Sequence, residues 1–512
     1  MILGASDGLA PNGPDAGITI DDLFRSNAAR RPDSLALIDP PNRLQVTGDA
    51  PRSFTYAQAD RAIDAIATRL RDIGLPADAV VAVQLPNVAP SILTLLAVMR
   101  AGMIAAPLPL LWRRADCVAA LSGAGAKAIV TCGRVGDADH GTLAMEVAAE
   151  LFPIRAVCGF GEGLADGIVS FDDLLDGTPT PCAPLDRGTN ACAHVAAVTF
   201  DVTAQGVIPV PRNHSQLLAG GVLVAGESRL MPEAGIVSTM PAASFAGLSA
   251  AMLPWLLTGG ALVLHHPFDP DILTSQIAQY GCSVLVVPDV LASRLSDSGM
   301  LPAAGVKTVI SICRSPERFA SAPVWNEPEV ALVDVAAFGE VALLAKSRSA
   351  NSGPAPWIAG AVTVTRDGDA LEIGHVARTR AGTLGFRGRM VSLQPLASHT
   401  DRSAASYFQT PETGHVDTGY PCRMAPDGGA LTITAAPAGL VTIGGYRFAI
   451  RDLRRMAGDI DPEAVLAALP DGLSGYRLAG HAANASAVQQ ALHALGLNPL
   501  VCEAFRDRAK PA

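Results

Sequence analysis

The stretch "AAVTFDVTAQGVIPVPRNH", residues 196–214, has the setting of a phosphate-binding loop: an apolar strand, a turn-rich run, then a helix. Such loops hold phosphate with backbone N–H groups, small residues and a cation. This one carries a single glycine, Gly206, a hydroxyl at Thr203 and no lysine. Asp201 places a carboxylate where phosphate oxygens would sit. Val202, Val207 and Ile208 are branched and resist the φ > 0 turns that glycine permits. "GVIPVP" therefore reads as a packed segment filling the place of a ligand.

Metal and thiol chemistry find less support. The nine cysteines, Cys117 to Cys502, form no C-x-x-C pair and no zinc spacing with histidine. They read as small buried hydrophobes of a reducing compartment. His265-His266 closes the apolar run "ALVLHH" and reads as a strand end, so no metal site is expected.

The elements that must position these residues follow from periodicity. In "SFTYAQADRAIDAIATRLRDIGLPADAVVAVQLPN", Thr55 is a helix cap. Ala62, Ile63, Ile66, Ala67 and Leu70 mark the buried stripe, and Gly74 stops the helix. "VVAVQL" barely alternates, the mark of a strand buried on both faces. The alternation continues through "APSILTLLAVMRAG", "GAKAIVTC", "GIVSTMP", "GALVLHH", "CSVLVVP", "KTVISIC" and "EVALVDV". That is an α/β chain with substantial parallel pairing. After about residue 345 the texture turns to β-rich hairpins, and the last piece, 451–512, reads as a short strand (RLAGHA) and a helix from about Ser486 to Leu495. The expected organisation is a disordered 1–17, an α/β core over 18–345, a β-rich subdomain over 346–440, and a shortened C-terminal α+β domain over 441–512.

Bulk properties exclude several classes. With 512 residues, 49% hydrophobic and 17% charged, the chain can bury a large core. Net charge is −10 with few aromatics and no basic patch, so no nucleic-acid partner is expected. No signal peptide and no uninterrupted apolar span of about 20 residues is seen. A soluble cytoplasmic protein without a membrane span is the expectation.

Several stretches taken in order resemble the adenylate-forming superfamily of acyl-CoA synthetases, luciferases and peptide-synthetase adenylation domains. They are the helix–strand segment just described, "STMPAASFAGLSAAMLPWLLTGGALVLHHPFDPDILTSQIAQYGCSVLVVPDVL", and "ETGHVDTGYPCRMAPDGGALTITAAPAGLVTIGGYRFAIRDLRR". The likeness covers roughly 18–455. It implies that family's fold, with a large N-terminal domain and a small C-terminal one, and chemistry that joins a carboxylate to ATP and then to a thiol. On that likeness, Asp201 and Ile208 lie in the phosphate loop, of which Thr203 and Gly206 are remnants. The aromatic-Gly-x-Thr-Glu motif reads "FGEVA": Phe338 and Gly339 remain, Val341 replaces threonine, and Ala342 replaces the magnesium glutamate. Glu340 is a substitute two residues early. Tyr420 replaces the ribose carboxylate of T-G-D, with Asp417 three residues before it. Ala436 replaces the hinge arginine and Ser244 the pocket histidine. Arg447 matches a family position and reads as structural. Ser244, Phe245, Gly247 and Ala337 are the substrate-pocket candidates, in a segment (241–262) that reads equally as core. The family's C-terminal catalytic lysine has no counterpart: after Ile450 the one lysine is Lys510, in the tail "RDRAKPA".

The combined losses predict a pseudoenzyme with no catalytic residue and no cofactor, kept to bind a partner protein, an acyl-carrier protein, or a small apolar carboxylate or CoA-like ligand. The alternative is an atypical acyl-CoA synthetase or acid–thiol ligase with a non-standard ATP site, using ATP, magnesium and CoA. Thr203, Glu340 and Asp417 would be its polar groups. A third reading is an inert subunit with a stable partner.

Overall fold

The computed structural model describes residues 17–506, apart from 177–180, 184, 186, 367–368, 397–405, 411–413, 427 and 473. The expected disordered stretch 1–17, save Gly17, and Lys510 lie outside the described residues.

Local signals start the elements. Thr55 Oγ1 accepts from Gln58 N at 3.2 Å, and Gln58 Oε1 accepts from Thr55 N at 2.8 Å. That reciprocal box opens the helix Tyr56–Asp72, which buries Ala62, Ile63, Ile66, Ala67 and Leu70. Gly74 follows at φ +84°, a turn glycine makes without steric cost. The helix Ala89–Arg100 is buried all round. Its Arg100 guanidinium meets Asp21, Asp60 and Asp64 at 2.7–2.9 Å, tying three helices together.

Among the described residues, three large sheets form the frame. The first runs, in spatial order, Ala342–Arg348, Ala331–Phe338, Thr308–Cys313, Val284–Pro288, Ile236–Ser238, Leu262–Leu264, Leu35–Ile38, Ser53–Thr55. The second runs Gly206–Asn213, Val195–Thr203, Ile104–Pro107, Val80–Val83, Ala128–Cys132, Ala156–Phe160, Val169–Ser170. Interior pairs in both are parallel, with antiparallel strands at Ala342–Arg348, Ser53–Thr55 and Gly206–Asn213. Val80–Val83 and Ala128–Cys132 are buried throughout, as their unalternating sequence requires. The third sheet, residues 357–433, is built of antiparallel pairs.

The C-terminal part holds more than the sequence reading of one strand and one helix. A hairpin, Leu440–Ile443 with Tyr446–Ala449, leads into the helix Ile450–Ile460. The strand Gly475–His481 then pairs with a second, Val465–Asp471, before the helix Ala485–Ala494. The extra helix is arginine-rich and buries only Leu453 and Ala457. The extra strand is a sheet edge carrying Pro470, where proline is tolerated. These elements share an apolar cluster that includes Phe448, Leu478 and Phe505.

No helix among the described residues is long and apolar enough to cross a membrane.

Candidate functional site

The stretch expected to be turn-rich is mostly strand. Val195–Thr203 pairs antiparallel with Gly206–Asn213, matching Asp201 with Ile208, Val202 with Val207 and Thr203 with Gly206. Branched residues favour the pleated ladder, so only Ala204 and Gln205 form the turn. Thr203 Oγ1 stitches that turn, donating to Gly206 O at 2.9 Å and accepting from Gln205 N at 3.1 Å. Gly206 has φ +120°, and nothing lies within 4 Å of an added Cβ, so backbone conformation alone calls for glycine. Ile208 is buried with Val210 and Phe408. The helix His214–Glu227 then starts on a box between Asn213 and Gln216.

Asp201 does not present a bare charge to an open site. Its carboxylate is buried, and Arg447 Nη1 lies 2.6 Å from Oδ1. Oδ2 accepts from Tyr407 Oη at 2.8 Å and from Glu340 N at 3.1 Å. Gly339, at φ +60°, makes room: a Cβ there would collide with Asp201 Oδ2 and lie 2.8 Å from Arg447 Nη1. Arg447 Nη2 donates to Tyr420 Oη at 2.7 Å, and the fully buried Tyr420 ring meets Phe338 edge-on at 5.5 Å. Burial pushes the Tyr420 phenol up to about 12 against the pull of Arg447. The structural role read for Arg447 thus has a definite form: it joins the Tyr446–Ala449 strand to the hairpin.

Glu340 is buried, with Oε2 accepting from Phe245 N at 2.8 Å and Oε1 facing Arg314 Nη2 at 3.6 Å. Burial raises its pKa, opposed chiefly by Arg314 and Arg212. Arg212 is itself buried and lies over the Phe245 ring at 3.9 Å. It donates to Thr199 Oγ1, Met390 O, Glu340 O and Val341 O.

The remaining candidates are structural in position. Ala342 is buried opposite Phe338 in the strand ladder. Asp417 Oδ1 accepts from Gly419 N at 2.8 Å. Ser244 Oγ caps a short helix at Gly247 N, 3.2 Å away. A Cβ at Gly247 would run into Pro241 O. Phe245 is fully buried, so this segment packs as core around it. Ala436 is half-buried in the loop before Leu440–Ile443. Among the pocket candidates Ala337 lines the crevice, and Ser244, Phe245 and Gly247 do not.

The crevice where these elements meet is lined by Trp112, Asp201, Ala337, Glu340, Tyr446 and Arg447 and keeps a cavity of about 30 Å³. That admits a water or two. Among the described residues no group of three or more His, Cys, Asp or Glu side chains could hold a metal. Sequence reasoning missed Tyr407, Arg314 and Arg212. Only Arg212, a lone charge in an apolar strand, carried a local signal.

Residues 24–160 match the family model of the AMP-binding enzymes. The salicyl-AMP ligase / salicyl-S-ArCP synthetase of Mycobacterium tuberculosis is 26% identical over 288 residues, 55% of this chain. The match spans about half, 49%, of that protein's length. The sulfoacetate–CoA ligase of Cupriavidus necator is 24% identical over 78% of this chain and 73% of its own. Among solved structures, the amide bond synthetase McbA of Marinactinospora thermotolerans superposes with a TM-score of 0.69 at 18% identity, covering 94% of each chain. Apo MbtA of Mycobacterium smegmatis gives 0.64 at 20%, covering 95% of this chain and 90% of its own. The chain thus carries an AMP-binding segment over residues 24–160, is similar to AMP and CoA ligases, and has the fold of the adenylate-forming enzymes.

Proposed function

We propose that this chain is a superfamily member that binds without adenylating, its nucleotide crevice filled from within. The observation that carries this reading is the Arg447–Asp201 pair, which stands in the crevice with Tyr407, Tyr420 and Glu340 and leaves about 30 Å³. Ligand pockets usually offer several hundred Å³. The stretch that would wrap phosphate as a loop is instead a strand ladder closed by a two-residue turn. A polyphosphate would also meet the carboxylates of Asp201 and Glu340. Ala342 and Tyr420 offer no carboxylate to a magnesium ion or a ribose. ATP and magnesium therefore do not fit the residues present, and no step is derived through them. The retained role is binding, of a partner or carrier protein or of an apolar acid or CoA-like molecule, in the cytoplasm.

The test is calorimetric titration of the purified chain with millimolar Mg·ATP. No heat and no thermal stabilisation are expected. Saturable binding overturns the reading.

The second reading, an acid–thiol ligase with unusual nucleotide handling, is favoured by the relatives, which are named as ligases and synthetases. It requires the Arg447–Asp201 pair to open, and it predicts acid-dependent pyrophosphate exchange. An inert subunit predicts neither activity nor small-ligand binding.

A further inference from the structure

The second sheet carries the filled crevice at one end of its strands and a larger hollow at the other. The crevice touches Pro109 and Phe200–Val202, beyond or near the carboxyl ends of Ile104–Pro107 and Val195–Thr203. The hollow lies at the amino ends of the same strands, against Val80, Ile104 and Val195. It is an open trough of about 830 Å³, within the size range of small-molecule sites.

Its walls have two characters. Val80, Ile104, Val195 and Leu396 give an apolar floor, and Leu393 stands on the rim, 54% exposed. Lys127 supplies a cation. Its backbone is fixed, N donating to Val80 O and O accepting from Arg155 N, both at 2.8 Å. Its ammonium makes no ion pair or hydrogen bond among the described residues. The other charges at the trough are already matched: Arg187 holds Asp78 through two contacts of 2.7 and 3.0 Å and donates to His194 Nδ1 at 3.1 Å. Asn213 and Gln216 are committed to each other in the helix cap. One unmatched positive charge beside an apolar floor suits a ligand with one negative charge and an apolar body.

We propose that this trough binds an amphipathic organic anion, an apolar acid whose carboxylate pairs with Lys127 and whose tail lies over Val80, Ile104, Val195 and Leu396. The site is separate from the nucleotide crevice and does not depend on what that crevice binds.

The test uses the full chain without nucleotide and two probes, decanoate by calorimetry and anilinonaphthalenesulfonate by fluorescence, with decanol as the uncharged control. One saturable decanoate site that displaces the dye is expected. Lys127→Glu, at a half-buried position without partners, should weaken decanoate about tenfold or more, while Lys127→Arg keeps it within about threefold. Leu393→Asp, on the exposed rim, should weaken both probes with the thermal midpoint unchanged. Decanol should bind about tenfold more weakly than decanoate. Absence of binding, decanoate affinity unchanged by Lys127→Glu and Leu393→Asp, or equal affinity for decanol overturns the proposal.

Discussion

Arg447 and Asp201 stand 246 residues apart in the chain and 2.6 Å apart in space. Each belongs to a two-stranded hairpin, one in the C-terminal part and one at the edge of the second sheet. The pair is buried, and Tyr407, Tyr420 and the backbone of Glu340 complete its hydrogen bonds. A buried pair is favourable only when its leftover donors and acceptors are met, as they are here.

Removing one partner is expected to cost far more than removing both. Arg447→Met leaves the Asp201 carboxylate buried without its cation, a loss of about 3–5 kcal/mol. Adding Asp201→Asn should recover most of it. Urea unfolding of the wild type, the single variants and the double variant closes the cycle. A loss in the double variant equal to the sum of the two single losses would show that the pair carries no coupling.

Gly339→Ala should destabilise on two counts. Its φ of +60° is strained for alanine, and the new methyl collides with Asp201. The backbone term alone is about 1 kcal/mol or more. The variant is expected to lose more stability in the wild-type background than in an Asp201→Ala background, read from thermal midpoints.

Acid should unfold the protein through its buried histidines. His214 accepts a hydrogen bond from Ile20 N on Nδ1, and burial holds its pKa down near 4, against an ordinary value of 6.5. Burial likewise lowers His140 and His266 to about 4. Between pH 6.5 and 4 the unfolded chain takes up protons that the folded chain does not, so stability falls as pH falls. Asp116, raised to about 6 by burial, works the other way, since its folded form keeps a proton that the unfolded form loses above 3.8. Glu340, Asp289, Glu317 and Asp334, which burial also raises, act in the same sense as Asp116, so the histidine contribution is read by removing one histidine. His214→Gln should shrink the stability difference between pH 7 and pH 4.5 by roughly 2–3 kcal/mol, measured by urea unfolding.

The thiols should be silent until the chain unfolds. All nine are free and buried, and burial pushes Cys132 and Cys158 up to about 12. A disulfide reagent at pH 8 is expected to titrate less than one thiol in the native protein and nine in denaturant. Rapid reaction of several native thiols would contradict this burial.

Much of the fold was legible from residues close in sequence. Thr55, the stripe Ala62–Leu70 and Gly74 delimit a helix because capping and periodicity act within a few residues. The unalternating runs at Val80–Val83 and Ala128–Cys132 announce strands covered on both faces. That Ala342 and Tyr420 carry no carboxylate was equally plain, since a side chain's chemistry is the same in any conformation. What Asp201 does was decided elsewhere. As a letter it is a negative charge in a loop; folded, it is matched by Arg447, Tyr407 and the Glu340 amide. Glycine at 339 is required by that same packing. Lys127 became conspicuous only when the surrounding chain left it unpaired over an apolar floor. Local conformational preference belongs to neighbours along the chain and can be read there. The pairing of a buried charge is fixed by which distant segments the fold brings within a few ångströms, and only the tertiary structure supplies that.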